Sequence, residues 1–130
     1  MKKLLPILLS ALMFTGCAGT GNSQTNTYRQ ITMDEAVTMM AQEIDYIILD
    51  VRRADEFAAG HIPGAINVAN ESIGTDEIPE LPDKNQLIMV YCRSGRRSKE
   101  AAEKLVKLGY TNIVEFGGIL DWKGKIVVGE

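Results

Sequence analysis

Two short apolar runs, broken only by Asp50 near the end of the first, constrain this chain more than any other feature. Residues 46–51 read YIILDV and residues 87–91 read LIMVY. Neither run alternates apolar with polar residues, so a strand built from either has no face to offer to water. Such strands belong in the middle of a parallel sheet covered on both sides. The segments around them carry helix and turn signals. Thr32 is a candidate N-cap, with Glu35 three residues on as in a capping box. Ala36, Val37, Met40 and Ala41 follow at helical spacing, which predicts a helix over residues 33–43. A short helix over residues 54–59 is stopped by Gly60, and Ile62-Pro63-Gly64 is a turn before a brief strand over residues 65–68. Residues 69–86, with Pro79 and Pro82, read as loop. Residues 98–108 predict a helix that turns Ala101, Ala102, Leu105, Val106 and Leu108 to the core and stops at Gly109. Residues 113–116 predict a last strand, followed by Gly117-Gly118 and a short helix around Trp122. Strands alternating with helices give an α/β fold, an open parallel sheet with helices on both faces.

The N-terminal part reads differently. Met1-Lys2-Lys3 is a short basic start, residues 4–14 are mostly apolar, and no acidic residue precedes Asp34. That is the pattern of an export signal, too short to span a bilayer comfortably. Phe14-Thr15-Gly16-Cys17 resembles the lipobox of bacterial lipoproteins, although Phe14 stands where Leu is more usual. The resemblance implies cleavage after residue 16 and a lipid on Cys17; ordinary signal cleavage, with Cys17 discarded or left free, is the alternative. Ala18 rather than Asp after Cys17 suggests outer-membrane sorting in a cell with two membranes. Residues 18–27 contain no charge and no large apolar side chain and read as a tether. The expected organisation is a signal peptide over 1–16, a lipidated Cys17 with its tether to residue 27, one domain over 28–124, and a tail over 125–130. The exported domain faces the periplasm or the outer surface of the envelope.

Charge and composition exclude some functions. A net charge of −3 offers no basic footprint for nucleic acid. A single His leaves too few ligands for a His-rich metal site, and neither a metal nor a cofactor is expected. With Cys17 lipidated, Cys92 is the remaining thiol, so no intramolecular disulfide is possible despite export.

The chemistry concentrates in Cys92-Arg93-Ser94-Gly95-Arg96-Arg97-Ser98, which joins a buried strand to a helix. In open α/β sheets, ligands bind just beyond the carboxyl ends of the strands. A tight loop there turns backbone N–H groups inward as an anion nest, and the helix that follows adds its positive end. Three arginines add formal charge, with Arg96 the one expected to be solvated. These surroundings favour the thiolate, the nucleophilic form of Cys92, without a His base. The one His, His61, lies in a turn and reads as a hydrogen-bonding residue there.

Three segments together resemble the single-domain rhodanese-like sulfurtransferases over about residues 28–124. They are Asp50-Val51-Arg52 through Glu56-Phe57 to residues 60–67 (GHIPGAIN), then Tyr91-Cys92-Arg93-Ser94-Gly95-Arg96-Arg97-Ser98, then Gly109-Tyr110 with Gly117-Gly118 and Trp122. The resemblance implies a five-stranded parallel sheet flanked by helices. It also implies that Cys92 takes a sulfur from a small anionic donor such as thiosulfate, becomes a persulfide, and passes the outer sulfur to a thiol or cyanide. Arg93 and Arg97 are then the candidates for anion binding, with Ser94, Gly95, Arg96 and Ser98 supplying loop amides. Asp50, Arg52 and Glu56 are expected as scaffold, with Arg52 and Glu56 paired across four residues near a helix start and Asp50 at a strand end; orientation of the Cys92 loop is their functional alternative. Trp122 is expected to cover the core, and the protein to act as a monomer.

Rival readings are a cysteine phosphatase or arsenate reductase, a non-catalytic binding module, and a persulfide relay or redox partner. The phosphatase pattern needs Arg six positions after Cys, where this chain has Ser98, with Arg97 one residue early. The relay uses the same Cys92 and is not separated from the transferase by sequence.

Overall fold

The computed structural model describes residues 27–129. The expected signal peptide over 1–16, Cys17 and nearly all of the expected tether lie outside the described residues. Five strands form one all-parallel sheet: β1 (Arg29–Gln30), β2 (Tyr46–Asp50), β3 (Ile66–Asn67), β4 (Leu87–Cys92) and β5 (Ile113–Gly118). Their order across the sheet is β1-β5-β4-β2-β3, which puts the two apolar runs side by side at its centre. Three helices cover it: α1 (Met33–Gln42), α2 (Ala54–Ala59) and α3 (Arg96–Lys107). Two short 3₁₀ turns, Asn70–Ser72 and Ile119–Asp121, complete the regular structure of the described residues.

Alternate side chains of the central strands enter different cores, which is why the runs cannot alternate with polar residues. Leu49, Val51, Ile88, Val90 and Cys92 pack with Ala101, Ala102 and Leu105 of α3. Ile48, Met89, Tyr91 and Phe116 pack on the opposite face with Ala36 of α1 and Phe57 of α2. The expected capping box closes α1: the Glu35 N–H donates to Thr32 Oγ1 at 3.1 Å and the Thr32 N–H to Glu35 Oε1 at 2.8 Å.

The fifth strand implied by the resemblance, which no sequence pattern located, is β1: two exposed residues on a sheet edge, held by pairing with β5. Three expectations need correction. α3 begins at Arg96 instead of Ser98, so the connecting loop is only Arg93, Ser94 and Gly95. Val106 and Leu108 are partly buried at the edge of the core instead of inside it. β5 runs on to Gly118, and the turn after it ends before Trp122.

The register between β4 and β5 slips where the chemistry lies. Val90 stands opposite Glu115, but Cys92 stands opposite Gly118. Two steps along β4 therefore match three along β5, a bulge that bends β5 beneath the loop after Cys92. Gly117 takes up the extra residue at φ +98°, a conformation that side chains resist. The tail is docked as well: His61 and Val127 exchange backbone hydrogen bonds of 2.9 and 3.0 Å, and the Gly129 N–H donates to Ala58 O at 2.8 Å.

Candidate active site

Cys92 closes β4, with its side chain buried. The Gly95 N–H donates to its sulfur at 3.0 Å. Gly95 is the N-cap of α3 at φ +113°, and this left-handed turn is what aims its amide back at Sγ. The next three amides, of Arg96, Arg97 and Ser98, belong to the first turn of a helix and have no intrahelical acceptor. The sulfur thus sits at the positive end of α3, where negative charge is stabilised.

Gly118 lies directly beneath the loop. A Cβ there would come 2.1 Å from Arg93 O and 2.6 Å from Ser94 Cα. The Leu120 N–H donates to Arg93 O at 3.2 Å, tying the loop to the chain that leaves β5. The paired glycines therefore serve the loop, one by its backbone angle and the other by its missing side chain.

The three arginines have different surroundings. Arg97 is held by both oxygens of Glu56, at 2.7 and 3.2 Å. The Arg97 guanidinium holds the Glu56 carboxyl down to about 2. Arg96 points outward and pairs with Glu100 at 3.2 Å, in line with the solvated residue expected. Arg93 is exposed and lines a cleft of about 430 Å³ with Arg52, Glu56, Leu120, Trp122 and Ile126. Ser94 is exposed beside it. The hydroxyl of Ser98 is buried within 3.5 Å of the Cys92 sulfur.

The expected Arg52–Glu56 pair does not form. Arg52 turns to the buried Asp50 instead, donating through Nε at 3.0 and 3.1 Å and through Nη2 at 2.7 Å. Its Nη2 also donates to Gly60 O at 2.7 Å. The Tyr91 hydroxyl donates to Asp50 Oδ2 at 2.7 Å and accepts from the Ile62 N–H at 3.1 Å. Burial pushes the Tyr91 hydroxyl up, and its bond to Asp50 adds to the effect, so it stays a donor. This network fixes the end of β2 against α2, from which Glu56 reaches across to Arg97. His61 stacks on Phe57 at 3.7 Å and places Nδ1 2.8 Å from Phe57 O, a structural role. Trp122 packs against the α1 and α2 core and donates through Nε1 to Lys125 O at 2.8 Å.

Residues 32–125 match the model of the rhodanese-like domain. The chain belongs to that family. Among its relatives, the thiosulfate sulfurtransferase PspE of Escherichia coli is 37% identical over 73 residues, 56% of this chain and 70% of that protein. A sulfurtransferase of Allochromatium vinosum is 32% identical over 94 residues, covering 72% of this chain and 86% of that one. The solved structure of a rhodanese with anions from E. coli is 34% identical, with a TM-score of 0.59 over 65% of this chain and 99% of that one. A rhodanese-like domain protein from Staphylococcus aureus is 27% identical, with a TM-score of 0.65 over 78% of this chain and 99% of the other.

Sequence reasoning about this rhodanese-like domain passed over Glu115, and placed Tyr91 in the motif around Cys92 without giving it a role. Glu115 is fully buried on β5. Its Oε2 accepts from the Ser98 hydroxyl at 2.5 Å and from the Gly117 N–H of the bulge at 2.9 Å. The signal was available: it is the one charged residue in an otherwise apolar strand, IVEF. Among the described residues, no group of three or more His, Cys, Asp or Glu side chains is placed to hold a metal.

Proposed function

We propose that this protein is a sulfurtransferase that carries a sulfane sulfur as a persulfide on Cys92. The supporting observation is the placement of its sulfur, which accepts the Gly95 N–H at the start of α3. With thiosulfate as donor, the Cys92 thiolate attacks the outer sulfur. A sulfur–sulfur bond forms, the old one breaks, and sulfite leaves with its electron pair. An acceptor thiolate or cyanide then attacks the outer sulfur of the persulfide and restores the Cys92 thiolate. The first-turn amides stabilise the incoming anion and the persulfide charge. Arg93, exposed at the cleft beside the loop, draws the anion in. Arg97 acts differently from a free anion ligand: with Glu56 it braces the first turn of α3 against α2.

The engagement of Arg97 with Glu56, and a hydroxyl at Ser98 where a phosphatase loop carries Arg, favour sulfur transfer over phosphoryl transfer. A lipid on Cys17 holds the domain at the bacterial envelope in this reading, on the strength of the Phe14-Thr15-Gly16-Cys17 motif. The decisive experiment is intact mass after incubation with thiosulfate. The domain should gain one sulfur, lose it to cyanide, and gain none as Cys92→Ser. A wild type that takes up no sulfur, or a serine variant that still transfers it, overturns the proposal.

A further inference from the structure

The buried carboxyl behind the loop has no part in the reaction above, yet it is joined to the nucleophile by a single hydroxyl. Cys92 Sγ lies 3.5 Å from Ser98 Oγ, and Ser98 Oγ lies 2.5 Å from Glu115 Oε2. Ser98 has one proton to give. Its alternative acceptors, Gly95 O at 3.0 Å and Gly117 O at 3.4 Å, are farther than the carboxyl. Glu115 has no ion-pair partner among the described residues; its oxygen is met only by that hydroxyl and by the Gly117 N–H. Burying a carboxylate without a cation is costly. A structural acceptor for one hydroxyl and one amide needs no ionisable group, and an amide side chain would serve.

We infer that Cys92 and Glu115 share one proton through the Ser98 hydroxyl, making Glu115 a positioning residue for the thiolate. The Cys92 S–H bond breaks as Ser98 gains that proton, and the former Ser98 proton forms an O–H bond on Glu115. No electron changes hands, and the net charge of the pair stays at −1. The thiolate therefore forms without adding a second negative charge under the loop, where a dianionic donor must approach. The proton stays on Glu115 while the persulfide carries the negative charge.

Two such coupled groups titrate as a pair, in two steps. Lys99, on α3, places its Nζ 3.7 Å from the position a Cβ on Gly95 would take, beside the loop. Arg97, on α3, interacts with Cys92. Tyr28, ahead of β1, feels both Glu103 of α3 and Glu115. None of the three offers the pair a second proton-accepting carboxyl next to Cys92.

The test is the pH profile of Cys92 alkylation by iodoacetamide, a neutral reagent. The wild type should show two steps, the first marking the shared-proton state and the second its loss. Glu115→Gln, which keeps the shape and the acceptor oxygen, should show one step. Ser98→Ala should also show one, because the bridge is gone. A single step in the wild type overturns the inference, and so do two steps that survive in Glu115→Gln. A purely electrostatic Glu115, ionised throughout, gives one step that only moves to lower pH in the glutamine variant. If that variant does not fold, infrared spectra of the wild type decide. A protonated-carboxyl band must be present between the two steps, and its absence overturns the inference. The inference rests on the sulfurtransferase reading for its purpose but not for its test. A protein with the two-step profile that takes no sulfur from thiosulfate loses the proposed function and keeps the shared proton; the converse loses only the shared proton.

Discussion

Replacing Glu56 with Gln should weaken the protein in a way that depends on pH. The substitution keeps the shape of the side chain and removes the charge that grips Arg97 at 2.7 Å. In the wild type that grip lowers the carboxyl from 4.5 to about 2. A carboxyl held down in the folded state binds its proton more readily in the unfolded chain, so stability rises with pH across this window. The contribution is complete above about 4.5 and is lost as the pH falls towards about 2. Taken at face value, at about 1.36 kcal/mol for each tenfold change in proton affinity, the grip has a ceiling of about 3.4 kcal/mol. The two side chains are 19% and 18% exposed, so water screens part of that. A difference of about 1–2 kcal/mol between wild type and Glu56→Gln is therefore expected at about pH 7. It should narrow to about a quarter of that by about pH 2.5 and close only below about pH 2, where the folded-state carboxyl takes up its proton as well. Urea unfolding of both proteins at stepped pH reads this directly, with equal slopes confirming that midpoints can be compared. Comparing the two proteins cancels the acid sensitivity of every other carboxyl. A gap of the same size at both ends of the range would show that the loss comes from packing, and the charge argument would be refuted.

Other perturbations probe different supports of the same site. Gly118→Ala forces a methyl to within 2.1 Å of Arg93 O, so it should cost about 1–3 kcal/mol and displace the loop, lowering sulfur transfer more than stability alone explains; an alanine variant with wild-type turnover would deny that the loop needs this contact. Tyr91→Phe strips a hydroxyl from Asp50 and leaves the buried Ile62 N–H unpaired, a loss of about 1–3 kcal/mol in urea unfolding. No measurable change there would mean that water replaces the hydroxyl. Cys17→Ala should move the full-length protein from the membrane fraction to the soluble fraction and remove a lipid-sized mass; a wild type that is already soluble, with an unmodified Cys17, contradicts the anchor.

The central sheet was legible because its chemistry is one-dimensional. A strand buried on both faces is apolar along most of its length, and residues 46–49 and 87–91 say so without help from the rest of the chain. The start of α3 was not, because Ser98 is the residue type that caps helices and invites a boundary there. The actual cap is Gly95, which makes no side-chain bond and leaves its amide free for Cys92. Ser98 instead lies inside the first turn, turned towards Glu115. The Arg52–Glu56 pairing failed for a related reason. Spacing of four residues suggests a contact only where both residues lie on one helix, and Arg52 precedes α2. Outside it, Arg52 is free to take the carboxylate at the end of β2, while Glu56 finds a guanidinium 41 residues away.

The features not legible in the sequence converge on the support of one loop. Glu56 braces the α3 turn from α2, the Gly117 bulge brings β5 underneath, and Glu115 ties that bulge to Ser98. The loop itself has only three residues, too few to fix the direction of an amide by their own conformational preferences. Its geometry is set by what surrounds it: α2 supplies Glu56, and β5 supplies Glu115, Gly117 and Gly118. A reactive sulfur at a helix start needs its amides aimed before the substrate arrives, since reorganisation during the reaction would cost rate. Substitutions at Glu56, Gly118 and Glu115, none of them part of the loop, should therefore disturb the chemistry of Cys92 more than substitutions of the exposed Arg96 within its sequence motif.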